Sequence, residues 1–182
     1  MKASFFSVLA SLAAFQTALA LPAVASAGKA EGKLAPLPEG LPEGIYAGNL
    51  NEDGTTSWEL IETVNSTAAP AVEKRQGNFG AHCDFSHTVN SNDRWQATMA
   101  LANLCGSGRY YNSKSIAAFW GGAVAYGCNY QGAVGTTCYS SEIYDRLITV
   151  ADNVCGGGQA GWFSYGQGTV SYGYTAANVG FC

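Results

Sequence analysis

No proline follows Pro70 and no cysteine precedes Cys83, so the 182 residues divide into two parts of different chemistry. Charge is scarce at 12%, and His82 and His87 are the only histidines. These absences exclude several classes. After the N-terminal apolar run no stretch supplies the roughly 20 apolar residues of a spanning helix, so no membrane-spanning segment is expected. No Cys-x-x-Cys or His-x-x-x-His spacing occurs, so no zinc ligand set is indicated and no cofactor is expected. Gly-x-Ser-x-Gly, a phosphate-binding glycine loop and His-Glu-x-x-His are missing from the second part. A basic face is missing too, which argues against a nucleic-acid partner.

What is present begins with Lys2, an apolar run from Phe5 to about Phe15, and the small-residue ending Ala18-Leu19-Ala20. That pattern is a signal peptide over residues 1–20, which sends the chain into the secretory route and predicts an extracellular product.

Residues 21–75 hold all five prolines (Pro22, Pro36, Pro38, Pro42, Pro70), an excess of acids and a tandem Leu-Pro-Glu-Gly at 37–44. This composition reads as a solvated or weakly ordered propeptide and a poor candidate for a core. It ends at Lys74-Arg75, a dibasic pair of the kind that kexin-type proteases cut. Asn65-Ser66-Thr67 is a glycosylation sequon within the same segment. The expected mature domain therefore runs from Gln76 to Cys182.

That domain carries Cys83, Cys105, Cys128, Cys138, Cys155 and Cys182. Six cysteines in a small secreted domain predict three bridges, with 15 connectivities open. Position at the two ends of the mature chain suggests Cys83 with Cys182. Its acids are Asp84, Asp93, Glu142, Asp145 and Asp152 against Arg94, Arg109, Lys114 and Arg146, so it is nearly neutral.

Periodicity predicts a helix over about 93–104, capped by Ser91 or Asn92, with Trp95, Met99 and Ala102 on a buried stripe. A second helix spans 142–154, capped by Ser140 or Ser141, with Ile143, Leu147, Val150, Ala151 and Val154 inward. Period two then marks strands at 115–120 and 123–131 across Gly121-Gly122, with Val124, Tyr126, Cys128 and Tyr130 on the buried side. A second hairpin spans 161–176, and a short first strand lies near 79–85. The expected fold is α+β: a small disulfide-rich sandwich, an antiparallel sheet of about five strands with two helices on one face.

Chemistry is thinly signalled. His82, Asp84 and His87 form the one catalytic-looking group, an acid/base pair of the ribonuclease type, and exposed polar residues around a bridged cysteine are the plainer reading. Arg109, Tyr110, Tyr111 and Lys114 lie in the loop before the first hairpin and are the candidate surface contact. Trp120 and Trp162 fit a core or a contact equally.

The order of elements, with Cys138 followed by the helix 142–154, Cys155-Gly156 and the terminal hairpin Gly168 to Tyr174, resembles the secreted fungal relatives of the smut-fungus viral killer toxin type four, a calcium-channel-blocking family. Leu104-Cys105-Gly106 and Ser115 to Phe119 fit it less specifically. The resemblance covers roughly 78–182 and implies an antiparallel sheet with two helices. The family's important lysine lies in an arginine-rich strand; here the corresponding stretch, Ser115 to Trp120, has no internal cation, so the role is not carried over to Lys114. Tyr126-Gly127-Cys128 is also similar to the necrosis-inducing effectors of plant-associated fungi. Both likenesses imply a noncatalytic protein that binds a protein or cell-surface target of a competing fungus or a plant host, and a monomer is expected.

Overall fold

The structure, a computed structural model, describes residues 32–64, 79–165 and 168–182. The expected signal peptide, the Asn65 sequon and the expected processing pair Lys74-Arg75 lie outside the described residues. In chain order the strands are β1 (Gly44–Leu50), β2 (Thr56–Thr63), β3 (Phe79–Thr88), β4 (Arg109–Tyr111), β5 (Ser115–Trp120), β6 (Ala123–Asn129), β7 (Thr136–Cys138), β8 (Gln159–Tyr165) and β9 (Val170–Ala176). The helices are α1 (Ser91–Cys105) and α2 (Ser140–Ile148), and α2 runs on as π-helical turns over Thr149–Cys155.

The fold is α+β and disulfide-rich. Seven strands form one sheet in the order β2-β1-β5-β6-β9-β8-β3, while β4 and β7 make a separate pair. Every pairing is antiparallel. The main sheet thus exceeds the expected five strands by the pair β1 and β2, which come from the segment read as weakly ordered. Three of that segment's five prolines, Pro36, Pro38 and Pro42, lie in the strap before β1, and the stretches 44–50 and 56–63 are proline-free and close a hairpin through an Asn51–Thr55 turn.

Both helices pack on one face of the sheet, where Ala97, Leu101, Ile143 and Leu147 meet Ile116, Ala118, Ala125 and Tyr174 in one core. Small residues on that side of β5 and β6 let the helices approach closely. The larger side chains of β6 point the other way: Val124, Tyr126 and Cys128 form a second core with Leu34, Leu37, Tyr46 and Phe181. β6 is buried along its whole length, because the strap 34–41 and the C-terminal residues cover the face opposite the helices.

Helix α1 is capped one residue earlier than expected: the Asn90 side chain accepts from the Asn92 and Asp93 backbone N–H at 2.9 and 3.1 Å. Asp93 accepts from the Gly122 N–H at 3.0 Å, tying the helix start to the β5–β6 turn. A Cβ at Gly121, whose φ is 54°, would fall 2.6 Å from the Asp93 carboxylate, so the turn requires glycine twice over. In the second helix Val150 and Cys155 are buried but Val154 is 49% exposed. The π turns fit more residues per revolution, which rotates Val154 away from the stripe that a uniform 3.6 period assigns it.

The bridges are Cys83–Cys155, Cys105–Cys138 and Cys128–Cys182. Three bridges form as counted, but the pairing Cys83 with Cys182 is wrong. Cys83 packs against the helix-side core and Cys182 against the opposite one, so the sheet separates them.

Candidate functional site

A cleft of about 650 Å³ opens at the end of the sheet where β1, β5 and β6 meet. Its walls combine Lys33, Asn49 and Leu50 from the N-terminal segment with Asn112, Lys114, Tyr130 and Cys182 from the cysteine-bearing part. The Lys114 ammonium sits 4.9 Å from the Tyr130 ring centroid, a cation–π distance. The ring is fixed from its far end, where the Tyr130 hydroxyl lies 3.2 Å from the Ser171 hydroxyl.

The floor is held by Asn129, which is 1% exposed. Its amide donates to the Ser113 carbonyl at 3.3 Å and the Gly132 carbonyl at 3.0 Å, and its Oδ1 accepts from the Gln131 N–H at 2.9 Å. Such a satisfied buried amide is scaffold rather than ligand contact. Asn49 does a similar task across the segment boundary, its Oδ1 accepting from the Lys114 backbone N–H at 3.3 Å. Lys33, Asn112 and Tyr130 are exposed and Lys114 is half-buried. Ammonium groups, an exposed amide and an aromatic face suit hydroxyl-rich or anionic groups of a ligand. Among the described residues the lining carries no Asp, Glu or His side chain.

Of the expected contact residues the structure brings Lys114 into this cleft and leaves Arg109 and Tyr110 exposed on β4, where the Tyr110 hydroxyl donates to the Val134 carbonyl at 2.8 Å. Tyr111 is corrected: alternation along β4 turns it inward, and it is 6% exposed in the helix-side core. Burial pushes its phenol well above the ordinary tyrosine value. Tyr130, Asn112, Asn49 and Lys33 were missed. The strand period places Tyr130 inward, but β6 ends at Asn129 and the chain turns before it. Asn49 and Lys33 lie in the segment taken as solvated.

The histidine cluster splits. His82 stacks on Trp162, ring centroids 5.2 Å apart, while His87 joins Asp84 and Ser86. Its Nδ1 lies 2.7 Å from Asp84 Oδ2 and 3.0 Å from Ser86 Oγ. The Ser86 hydroxyl also bonds the Asp84 carboxylate, and the Ser86 N–H donates to it at 3.0 Å. These Ser86 bonds, then His87, hold the Asp84 carboxyl down to about 2. A Ser–His–Asp relay needs the serine and the acid on opposite ring nitrogens. Here both address Nδ1, the geometry of an Asx-type turn at the irregular end of β3.

Among the described residues no three His, Cys, Asp or Glu side chains gather to hold a metal, and no helix is long and apolar enough to cross a membrane. The fold and its three bridges define a disulfide-stapled α+β protein. Comparison with known proteins adds no family to that class: no protein-family model, no curated protein and no solved structure matches the chain.

Proposed function

We propose that the protein is secreted and acts as a toxin-like or effector protein by binding, with a surface component of a competing fungus or a plant host as its target and the Lys114–Tyr130 cleft as its contact site. The observation that carries this reading is the cleft itself: a cation held over an aromatic ring, with exposed amide and ammonium groups around it. Three disulfides support an extracellular setting. The likeness to killer toxins and plant-directed effectors supplies the target class.

The test is binding of the purified protein to fungal cell walls and to leaf apoplastic extracts, beside growth assays with and without calcium and leaf infiltration. Lys114→Ala and Tyr130→Ala should each weaken binding about tenfold, as expected for loss of a cation or ring that the ligand contacts, with at most a small drop in the melting temperature because both are surface groups. Arg109→Ala, outside the cleft, should leave binding unchanged. Equal binding by all four proteins overturns the assignment of the cleft, and no effect on fungi or leaves overturns the target class.

A further inference from the structure

We infer that residues 32–64 form a strand-donating partner of the cysteine-bearing domain, and that a cut anywhere between 64 and 79 leaves a two-chain protein rather than a freed propeptide. The inference is independent of what the cleft binds.

No covalent link would remain after such a cut, because all three bridges join cysteines from Cys83 onward. Retention would rest on the interface, and that interface has the anatomy of a sheet interior. β1 lies between β2 and β5, pairing in register from Gly44 with Phe119 to Gly48 with Ser115. Side chains of the segment hold both ends of β5: Glu43 Oε1 accepts from the Gly121 N–H at 2.9 Å, and Asn49 Oδ1 accepts from the Lys114 N–H at 3.3 Å. On the face, the Leu34 N–H donates to the Phe181 carbonyl at 2.9 Å. Leu34, Leu37 and Tyr46 are 1%, 6% and 2% exposed, over Val124, Tyr126 and Phe181.

Departure of the segment would open two surfaces together. β5 would become a bare edge with unpaired N–H and C=O groups, a template for edge-to-edge aggregation. Tyr126, stacked on Phe181 at 4.4 Å between centroids, would lose the apolar cover of the strap. The edge that the intact chain presents instead is β2, which carries Glu59 and Glu62 among its exposed residues, a guarded edge. The fitted partner of the β5 edge and its apolar face is therefore the chain's own 32–64 segment. The same retention preserves the cleft, since Lys33, Asn49 and Leu50 form one of its walls.

The experiment places a recognition site for a sequence-specific protease between residues 65 and 75 of the full secreted chain. The protein is folded and oxidised first and nicked afterwards, so that folding does not depend on the cut. The expected result is co-elution of both pieces at the uncut volume in native gel filtration, with separation only at the denaturant concentration that unfolds the whole. Leu34→Asp, nicked in the same way, should raise the dissociated fraction at least tenfold. Elution of the short piece alone from the folded, nicked parent overturns the inference, whatever the long piece then does.

Discussion

Gly48 shows what a single position contributes to seating the N-terminal hairpin. A Cβ built there would lie 2.4 Å from the Trp58 ring and 3.0 Å from Leu34. The indole of β2 thus crosses directly over the backbone of β1, and its outer edge meets Phe181 at 5.6 Å between centroids. Gly48→Ala forces that ring off its seat, and overpacking of this kind costs about 1–3 kcal/mol. Urea unfolding should show the loss as a lower midpoint at unchanged slope; an unchanged midpoint would mean that Trp58 does not depend on the gap. Little at this scale was legible beforehand. A glycine in an acidic, proline-rich stretch reads as a breaker, and the same residue in a strand is a space left for a neighbour. Tyr111 was misplaced for a related reason, since a three-residue strand is too short to show its alternation.

At the scale of elements, legibility followed periodicity. Helix α1 and the β5–β6 and β8–β9 hairpins came out near their expected bounds, but the buried stripe of α1 did not: Trp95, expected inward, is 36% exposed, while Met99 and Ala102 are buried together with Arg94 and Thr98. The hairpin of β1 and β2 was not expected, although a sign of it was present: a strand with Val124, Tyr126 and Cys128 on one side and helices packed against the small-residue side needs a second cover. Bridge pairing was illegible because it depends on which face each cysteine meets. The Cys128–Cys182 bridge pins the terminal residues that carry Phe181 under the strap. Bridges 54 and 33 residues apart differ by only about 0.4 kcal/mol in loop-closure entropy, so packing decides their order. Replacing Cys128 and Cys182 together with alanine removes the longer closure and loosens the second core. The expected loss is about 4 kcal/mol, at the upper end for a single bridge. The same change at Cys105 and Cys138 should cost less, because that bridge links α1 to the small β4–β7 pair. Equal losses in thermal unfolding would show that loop closure alone sets the scale.

For the whole molecule, the two cores set how stability responds to pH. Desolvation raises the phenols of Tyr126 and Tyr172 well above the ordinary tyrosine range and takes Tyr165 up to about 12. An unfolded tyrosine ionises near pH 10, so above that point the unfolded chain has shed protons that the folded chain still holds. The stabilisation is complete below about pH 10 and is lost as pH climbs through the folded values. Asp84 works at the other end: its carboxyl is lowered to about 2 by Ser86 and His87, so its share is present above the ordinary aspartate value and fades as pH falls toward 2. It is a surface group, and screening keeps that share small. The stability profile should therefore be asymmetric, with a broad plateau, a shallow acid shoulder and a steep alkaline fall. Parallel records of tyrosinate absorbance and far-ultraviolet circular dichroism, taken quickly after alkaline jumps, separate cause from coincidence. The buried phenols should ionise only as the secondary structure is lost. Full tyrosinate absorbance from a still-folded protein would show that neither core excludes water as tightly as its packing implies.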